Sequence, residues 1–370
     1  MSDIDPHVIV LFGARGDLAK RMLLPALADL DLPDFRIIGS GRHEPDGEWT
    51  DEVREEIDDD DFLGRLSFVT SDADDGEDLA KAVRNAREEL GDDARVLLYL
   101  SVPPAAMEGM VGMLGDTGLH ERARLIMEKP FGSDLESARA LNAAIHEHFE
   151  EEQVFRIDHF LGKAPVRELL ALSRDGVTAI DVDVPEDLGL EGRGAFYEDT
   201  GALRDMVVTH LCQVLGVAPM DHPDAIEPGP LRAAKLAAFE AFPELDPQDV
   251  VFGQFEGYRD DEDVADDSTV ETYVDARLQL PGGIGARLRT GKALGEDYER
   301  VTLRRGVKET VVDISGGEPY RTLLEEALRG DRTWFTHADE VERLWAVVAP
   351  VLEHPPAAEP YAQGSDGPDA

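Results

Sequence analysis

Arg156-Ile157-Asp158-His159-Phe160-Leu161-Gly162-Lys163 sets a carboxylate, an imidazole and an ammonium within one short polar stretch, and Arg204-Asp205 and His210 follow downstream. Few folds need that combination merely to stand up. A histidine whose tautomer is fixed by a separate carboxylate is a general base, and a lysine nearby supplies charge for an anionic group. Asp158 and His210 are read as that pair, with Asp158 accepting from one ring nitrogen while the other takes a proton. The competing reading of His210, which sits in an apolar stretch, is a satisfied core histidine. The Arg204-Asp205 context favours chemistry.

Positioning such residues falls to two kinds of element. The first part of the chain alternates strand-like and helix-like segments: Val8 to Phe12, a glycine turn, Leu18 to Leu30 at helical spacing, Phe35 to Gly39, then Val96 to Leu100 and Arg124 to Met127. Strands alternating with helices predict a parallel α/β sheet. After Phe155 the runs Thr178 to Val184, Val250 to Phe255, Thr269 to Leu280 and Gly285 to Arg289 are strand-like, separated by turns and acidic loops. That rhythm predicts a mainly antiparallel sheet. Thr322 to Arg329 reads as a helix stopped by Gly330, and Thr336-His337-Ala338-Asp339 opens a last helix through Leu352. The tail from Pro355 is rich in Pro, Gly and Asp. Two domains are expected, 1–155 and 156–370.

The glycine turn is Gly13-Ala14-Arg15-Gly16-Asp17-Leu18, between a strand and a helix. There glycines let backbone approach a pyrophosphate whose charge the helix N-terminus favours, although a bare turn of this kind also serves plain packing. Gly39-Ser40-Gly41-Arg42 ends the second strand with a base where an acid would serve ribose hydroxyls, which points to a 2'-phosphate on the cofactor. The nearest acid, Glu44, fits the ribose position poorly.

The chain holds 79 acidic against 36 basic residues, a net charge of -43, with runs such as Asp58-Asp59-Asp60-Asp61. Nucleic acid and anionic membrane are disfavoured as partners, because both need Lys and Arg patches. Self-repulsion on this scale weakens a compact state in dilute buffer, while molar salt shrinks the Debye length to about 3 Å. A salt-rich cytoplasm is the expected setting. Lysine is confined to Lys20, Lys81, Lys129, Lys163, Lys235, Lys292 and Lys308, so the lysines that remain mark places where a compact ammonium is needed. The single cysteine, Cys212, excludes an internal disulfide and reads as a small buried residue; no apolar run is long enough to span a bilayer.

Several of these stretches resemble one family. Arg156 to Lys163 is similar to the RIDHYLGK motif of glucose-6-phosphate dehydrogenases, and Gly201-Ala202-Leu203-Arg204-Asp205-Met206 with His210-Leu211 to their GALRDM…HLLQ segment. Gly13 to Leu27 resembles the GASGDLAKRKLLPAL opening, Tyr99 to Pro104 the YLAxPP element, Glu128 to Gly132 the EKPFG element, and Arg289 to Leu294 the RTGKxL element. The matches run along nearly the whole chain. The resemblance implies a Rossmann dinucleotide-binding domain followed by an α+β domain, and oxidation of glucose 6-phosphate to the lactone with NADP, NAD being the second option. It implies His210 as base with Asp158; Lys129, His159, Lys163, Glu186, Asp205 and Lys292 on the sugar phosphate; and Gly13, Arg15, Gly16, Asp17, Leu18, Arg42 and Lys129 on the cofactor. A homo-oligomer is left open, and Pro130 is a place for a cis peptide.

Three departures bear on the substrate. Phe160 replaces the family's tyrosine, Asp297 stands where a second cation is common, and Leu280 to Glu318 is short for the family. Arg15 replaces a small residue, and its guanidinium is read as either on a cofactor phosphate or in solvent. Phe160 and Asp297 favour an alternative, a glucose-fructose-oxidoreductase-like enzyme of another sugar, which Lys163 and His159 oppose. A cofactor-binding sensor without catalysis is the third reading, opposed by the intact Asp158, His210 and Lys129.

Overall fold

The computed structural model describes residues 4–91, 93–218, 220 and 223–368. It divides into two compact units. The first runs through Gly132, resumes over Arg139–Gly162 and takes in Glu318–Ala338; the second holds Ser133–Ala138, Lys163–Gly317 and the chain from Asp339 onward.

In the first unit six parallel strands, β1 (His7–Phe12), β2 (Phe35–Gly41), β3 (Leu66–Thr70), β4 (Arg95–Leu100), β5 (Ala123–Met127) and β6 (Val154–Arg156), lie in the order β3-β2-β1-β4-β5-β6. Every residue of β1 is buried, the near-continuous apolar run of a parallel strand covered on both faces. This is the doubly wound Rossmann order, and its direction reverses between β1 and β4. The helix expected over Leu18 to Leu30 forms but stops at Ala28, a π-turn over Ala19–Leu23 passing into an α-helix over Leu24–Ala28. The helix Pro319–Arg329 ends at Gly330 in the left-handed region (φ 76°), and Arg124 of β5 donates to the last carbonyls, Ala327 at 2.9 Å and Leu328 at 2.6 Å.

The half-buried Glu151 ties several segments of this unit together. Its carboxylate accepts from Arg156 (2.9 Å), Arg332 (3.2 Å) and the backbone N–H of Ala338 (3.2 Å), which fixes the return of the chain after the Pro319–Arg329 helix.

The second unit is built on a seven-stranded sheet. Its strands are β7 (Ala179–Pro185), β8 (Val250–Phe255), β9 (Tyr273–Leu280), β10 (Ile284–Gly291), β11 (Arg300–Arg305), β12 (Lys308–Asp313) and β13 (Glu359–Tyr361), in the order β12-β11-β7-β10-β9-β8-β13. Most neighbours are antiparallel, as expected, but β10 runs parallel to β7 and β13 parallel to β8. The tail is therefore not all loop: Glu359–Tyr361 closes the sheet edge because the Tyr361 hydroxyl reaches inward to the Lys292 carbonyl at 2.7 Å. The strand expected from Thr269 begins at Tyr273 instead, because Glu271 turns inward to cap a helix start. Between the helices Pro228–Glu240 and Ala338–Glu353, the fully buried Lys235 and Glu340 pair at 3.2 Å.

Candidate active site

At the reversal point of the first unit, Gly13 follows β1 with φ 70°, and a Cβ there would stand 2.0 Å from the Ser101 carbonyl oxygen at the end of β4. Only glycine fits this conformation and this gap. Its N–H donates to the Ser40 carbonyl at 2.9 Å, and a Cβ on Gly16 would lie 3.2 Å from the Gly13 carbonyl oxygen. The turn thus keeps bare backbone at the strand ends, with Arg15, Gly16 and Asp17 exposed and Leu18 half-buried. The exposed guanidinium of Arg15 is held by a surface carboxylate. It donates to Glu52 at 3.0 Å, and Lys20 reaches the same carboxylate at 2.9 Å. Arg42 stands exposed just past β2, without a hydrogen-bond or ion-pair partner among the described residues.

The neighbouring strand ends add a cluster to which sequence reading gave no role. The hydroxyl of Tyr99 on β4 donates to Glu128 at 2.5 Å, directly after β5. Burial pushes the Glu128 carboxyl up to about 7 against the opposing pull of Tyr99 and Lys129, and the Asp158 carboxylate adds to the rise. The Lys129-Pro130 peptide is cis. Asp158, nearly fully buried, accepts the Phe160 N–H at 2.9 Å, so the carboxylate is oriented by its own chain. His159 stacks on Tyr320 with ring centroids 6.0 Å apart and 16° between planes. Tyr99 and Glu128 each lay in a stretch already singled out, but the signal that joins them is strand order, which sequence does not give. Tyr320 lay outside every motif.

In the second unit, topology collects the remaining residues at one end of the sheet. Because β7 and β10 are parallel (Ala179 opposite Gly285, Pro185 opposite Gly291), their ends coincide and Glu186 meets Lys292 at 2.5 Å. Backbone bonds lock the pair: Glu186 N–H to the Gly291 carbonyl and Leu294 N–H to the Glu186 carbonyl, both 2.9 Å. Since β11 runs antiparallel to β7, its start lies at this same end, and Glu299 there forms an ion pair with the buried Lys163. At the position where the family resemblance leads one to seek a second cation stands Asp297, exposed and acidic.

Asp205 and His210 lie on a π-helix, Leu203–Leu211. Its backbone N–H groups donate five residues back instead of four, so the turn carrying both residues is wider than an α-turn. Gly201 (φ 66°) kinks the chain just before it, and Glu271 accepts the Leu203 N–H at 3.0 Å, capping the helix start. A side chain on Gly201 would strike that carboxylate at 2.5 Å. Tyr197 is buried in the same unit, and its hydroxyl stays protonated first through burial and then through the charges of Asp205 and Glu186. His210 itself is buried.

Models of the glucose-6-phosphate dehydrogenase NAD binding domain match residues 10–168, and models of that family's C-terminal domain match 170–313 and 292–370. The chain belongs to the glucose-6-phosphate dehydrogenase family. A relative in this family, glucose-6-phosphate 1-dehydrogenase 1 of Mycobacterium tuberculosis, is 34% identical and covers 98% of this chain and 93% of its own length. That alignment spans 438 positions against the 370 residues here, so the relative carries segments this member lacks. The crystal structure of the Mycobacterium avium enzyme superposes with a TM-score of 0.87 at 35% identity, covering 99% of this chain and 95% of that one. A family structure in complex with its substrate glucose 6-phosphate superposes at 0.89 and 27% identity, with 100% and 97% covered.

Proposed function

We propose that the protein oxidises glucose 6-phosphate to 6-phosphogluconolactone with NADP, the entry step of the oxidative pentose phosphate pathway. The observation that carries the reading is a buried histidine on the same π-helix as Asp205, in a unit where Glu186 and Lys292 are locked together at a strand end.

The first unit fits the dinucleotide. Gly13 leaves a cradle that any Cβ would fill, the turn lies at the strand-order reversal where such cofactors bind, and Arg42 is exposed for a 2'-phosphate. Gly13, Arg15, Gly16, Asp17, Leu18, Arg42 and Lys129 would hold it. When bound, the nicotinamide accepts a hydride. His210 takes the proton of the anomeric hydroxyl as the hydride leaves that carbon, and Asp158 supplies the carboxylate that fixes its tautomer and stabilises the imidazolium. Asp205 and Glu186 bind sugar hydroxyls. Lys163, His159 and Lys292 take the phosphate side, where Lys163 acts as a point charge.

The protein is also proposed to work in a salt-rich cytoplasm. Support comes from the net charge of -43. No described helix is long and apolar enough to cross a membrane.

The test is initial-rate assay of the full chain in molar KCl on glucose 6-phosphate and glucose, each with NADP and NAD, for wild type and Lys163→Ala. Higher efficiency on the phosphorylated sugar, lost in the variant, supports the assignment. Equal efficiency on both sugars, with Lys163→Ala affecting them alike, sinks it. Folding and activity should both rise from dilute buffer to molar KCl.

A further inference from the structure

Both lysines assigned to the phosphate side already hold a carboxylate. Lys163 pairs with Glu299 and Lys292 with Glu186, and the two pairs share one asymmetry: the lysine side chains are 6% and 5% exposed, the carboxylates 25% and 28%. A buried ammonium with no anion beside it is costly, so the resting protein supplies one from its own chain. The two carboxylates are not equivalent. Glu186 is locked at its backbone by Gly291 and Leu294 and can stay while a sugar hydroxyl approaches. Glu299 stands just before β11, its backbone carbonyl held by the Ile314 N–H at 2.9 Å, while its carboxylate follows an exposed stretch that includes Glu296 and Asp297.

We infer that Glu299 is an internal counter-anion of Lys163, which an incoming phosphate must displace, and that it sets how strongly this enzyme prefers the phosphorylated sugar. The partner that can leave is the carboxylate, because it is already part-solvated and, once turned outward in molar salt, its charge is hydrated and screened. Lys163 stays. The cost of that exchange falls on phosphate-bearing ligands alone, since a neutral sugar leaves the pair intact. Removing the charge of Glu299 should therefore tighten phosphate and leave glucose unchanged. The inference rests on the proposed function in taking Lys163 as the phosphate-side cation.

Direct binding and turnover separate the two. Calorimetric titration of the full chain with inorganic phosphate and with glucose 6-phosphate in molar KCl should show Glu299→Gln binding each ~10-fold more tightly than wild type, the scale of one charge-assisted contact. KM for glucose 6-phosphate should fall correspondingly while KM for glucose holds. Adding Lys163→Met should abolish the gain. Glu299→Asp, which keeps the charge but shortens its reach, gives a smaller gain and serves if the glutamine variant does not fold. Unchanged phosphate affinity in a variant that melts like wild type overturns the inference, as does an equal gain for glucose and its phosphate. Tighter phosphate binding in Glu299→Gln, in a protein that does not oxidise glucose 6-phosphate, leaves the counter-anion standing and fells the proposed function instead.

Discussion

The two units solve the problem of meeting an anion in a strongly acidic chain in different ways. The first offers close approach to backbone: Gly13 and Gly16 keep side chains away from the strand ends. Its nearby cations, Arg15 and Lys20, share Glu52 at the surface, where such a pair contributes little. The second unit relies on side-chain charge, and each buried lysine there comes with its own carboxylate. Backbone dipoles are a fixed property of the turn, whereas a side-chain cation among many acids acquires a partner that a ligand has to contend with. Cofactor binding should then depend on shape at the turn, and substrate binding on the competition between anions.

The largest effect expected from breaking the second unit is on His210. His210→Asn should lower kcat by roughly 100-fold or more while the dissociation constant for NADP stays near wild type. Unchanged turnover removes His210 from the mechanism.

Next is the acid buried in the first unit. Glu128 titrates at about 7 when folded and near 4.5 when unfolded, so the native state binds the extra proton between those values. Its contribution is fully present below pH 4.5 and is lost as pH rises to 7, by about 3 kcal/mol. Denaturant unfolding in molar KCl should show wild type losing that much relative to Glu128→Gln across this window. Parallel pH profiles for the two proteins would refute it.

Arg42 sharpens the contrast within the cofactor site, because there side-chain charge supplements backbone. Arg42→Ala should weaken NADP by about 1–3 kcal/mol and NAD hardly at all. Equal losses would separate Arg42 from the 2'-phosphate.

The smallest effect belongs to the surface pair. Glu52→Gln should change unfolding free energy by less than about 1 kcal/mol, since both of its partners are part-exposed and molar salt screens them. A loss of several kcal/mol would mean that Glu52 shapes the glycine turn after all.

Local signals were readable along the chain. The apolar runs of β1, β4 and β5, the helix stop at Gly330 and the glycine turn each depend on a few consecutive residues, as do the motif stretches carrying Asp158, Lys163, Asp205, His210 and Lys292. The charge balance, with the expectation of salt dependence it brings, is a matter of counting. What no stretch contains is adjacency. The Tyr99-Glu128 bond needs β4 beside β5, the Glu186-Lys292 pair needs β10 parallel to β7, and the Lys163-Glu299 pair needs β11 antiparallel to β7. Strand pairing is fixed by packing over the whole unit, and one register or one direction changed would send those side chains elsewhere. The π winding that carries Asp205 and His210, and the inward turn of Glu271 that caps it, are likewise products of the assembled core, because periodicity alone reads the same residues as an ordinary helix and an ordinary strand.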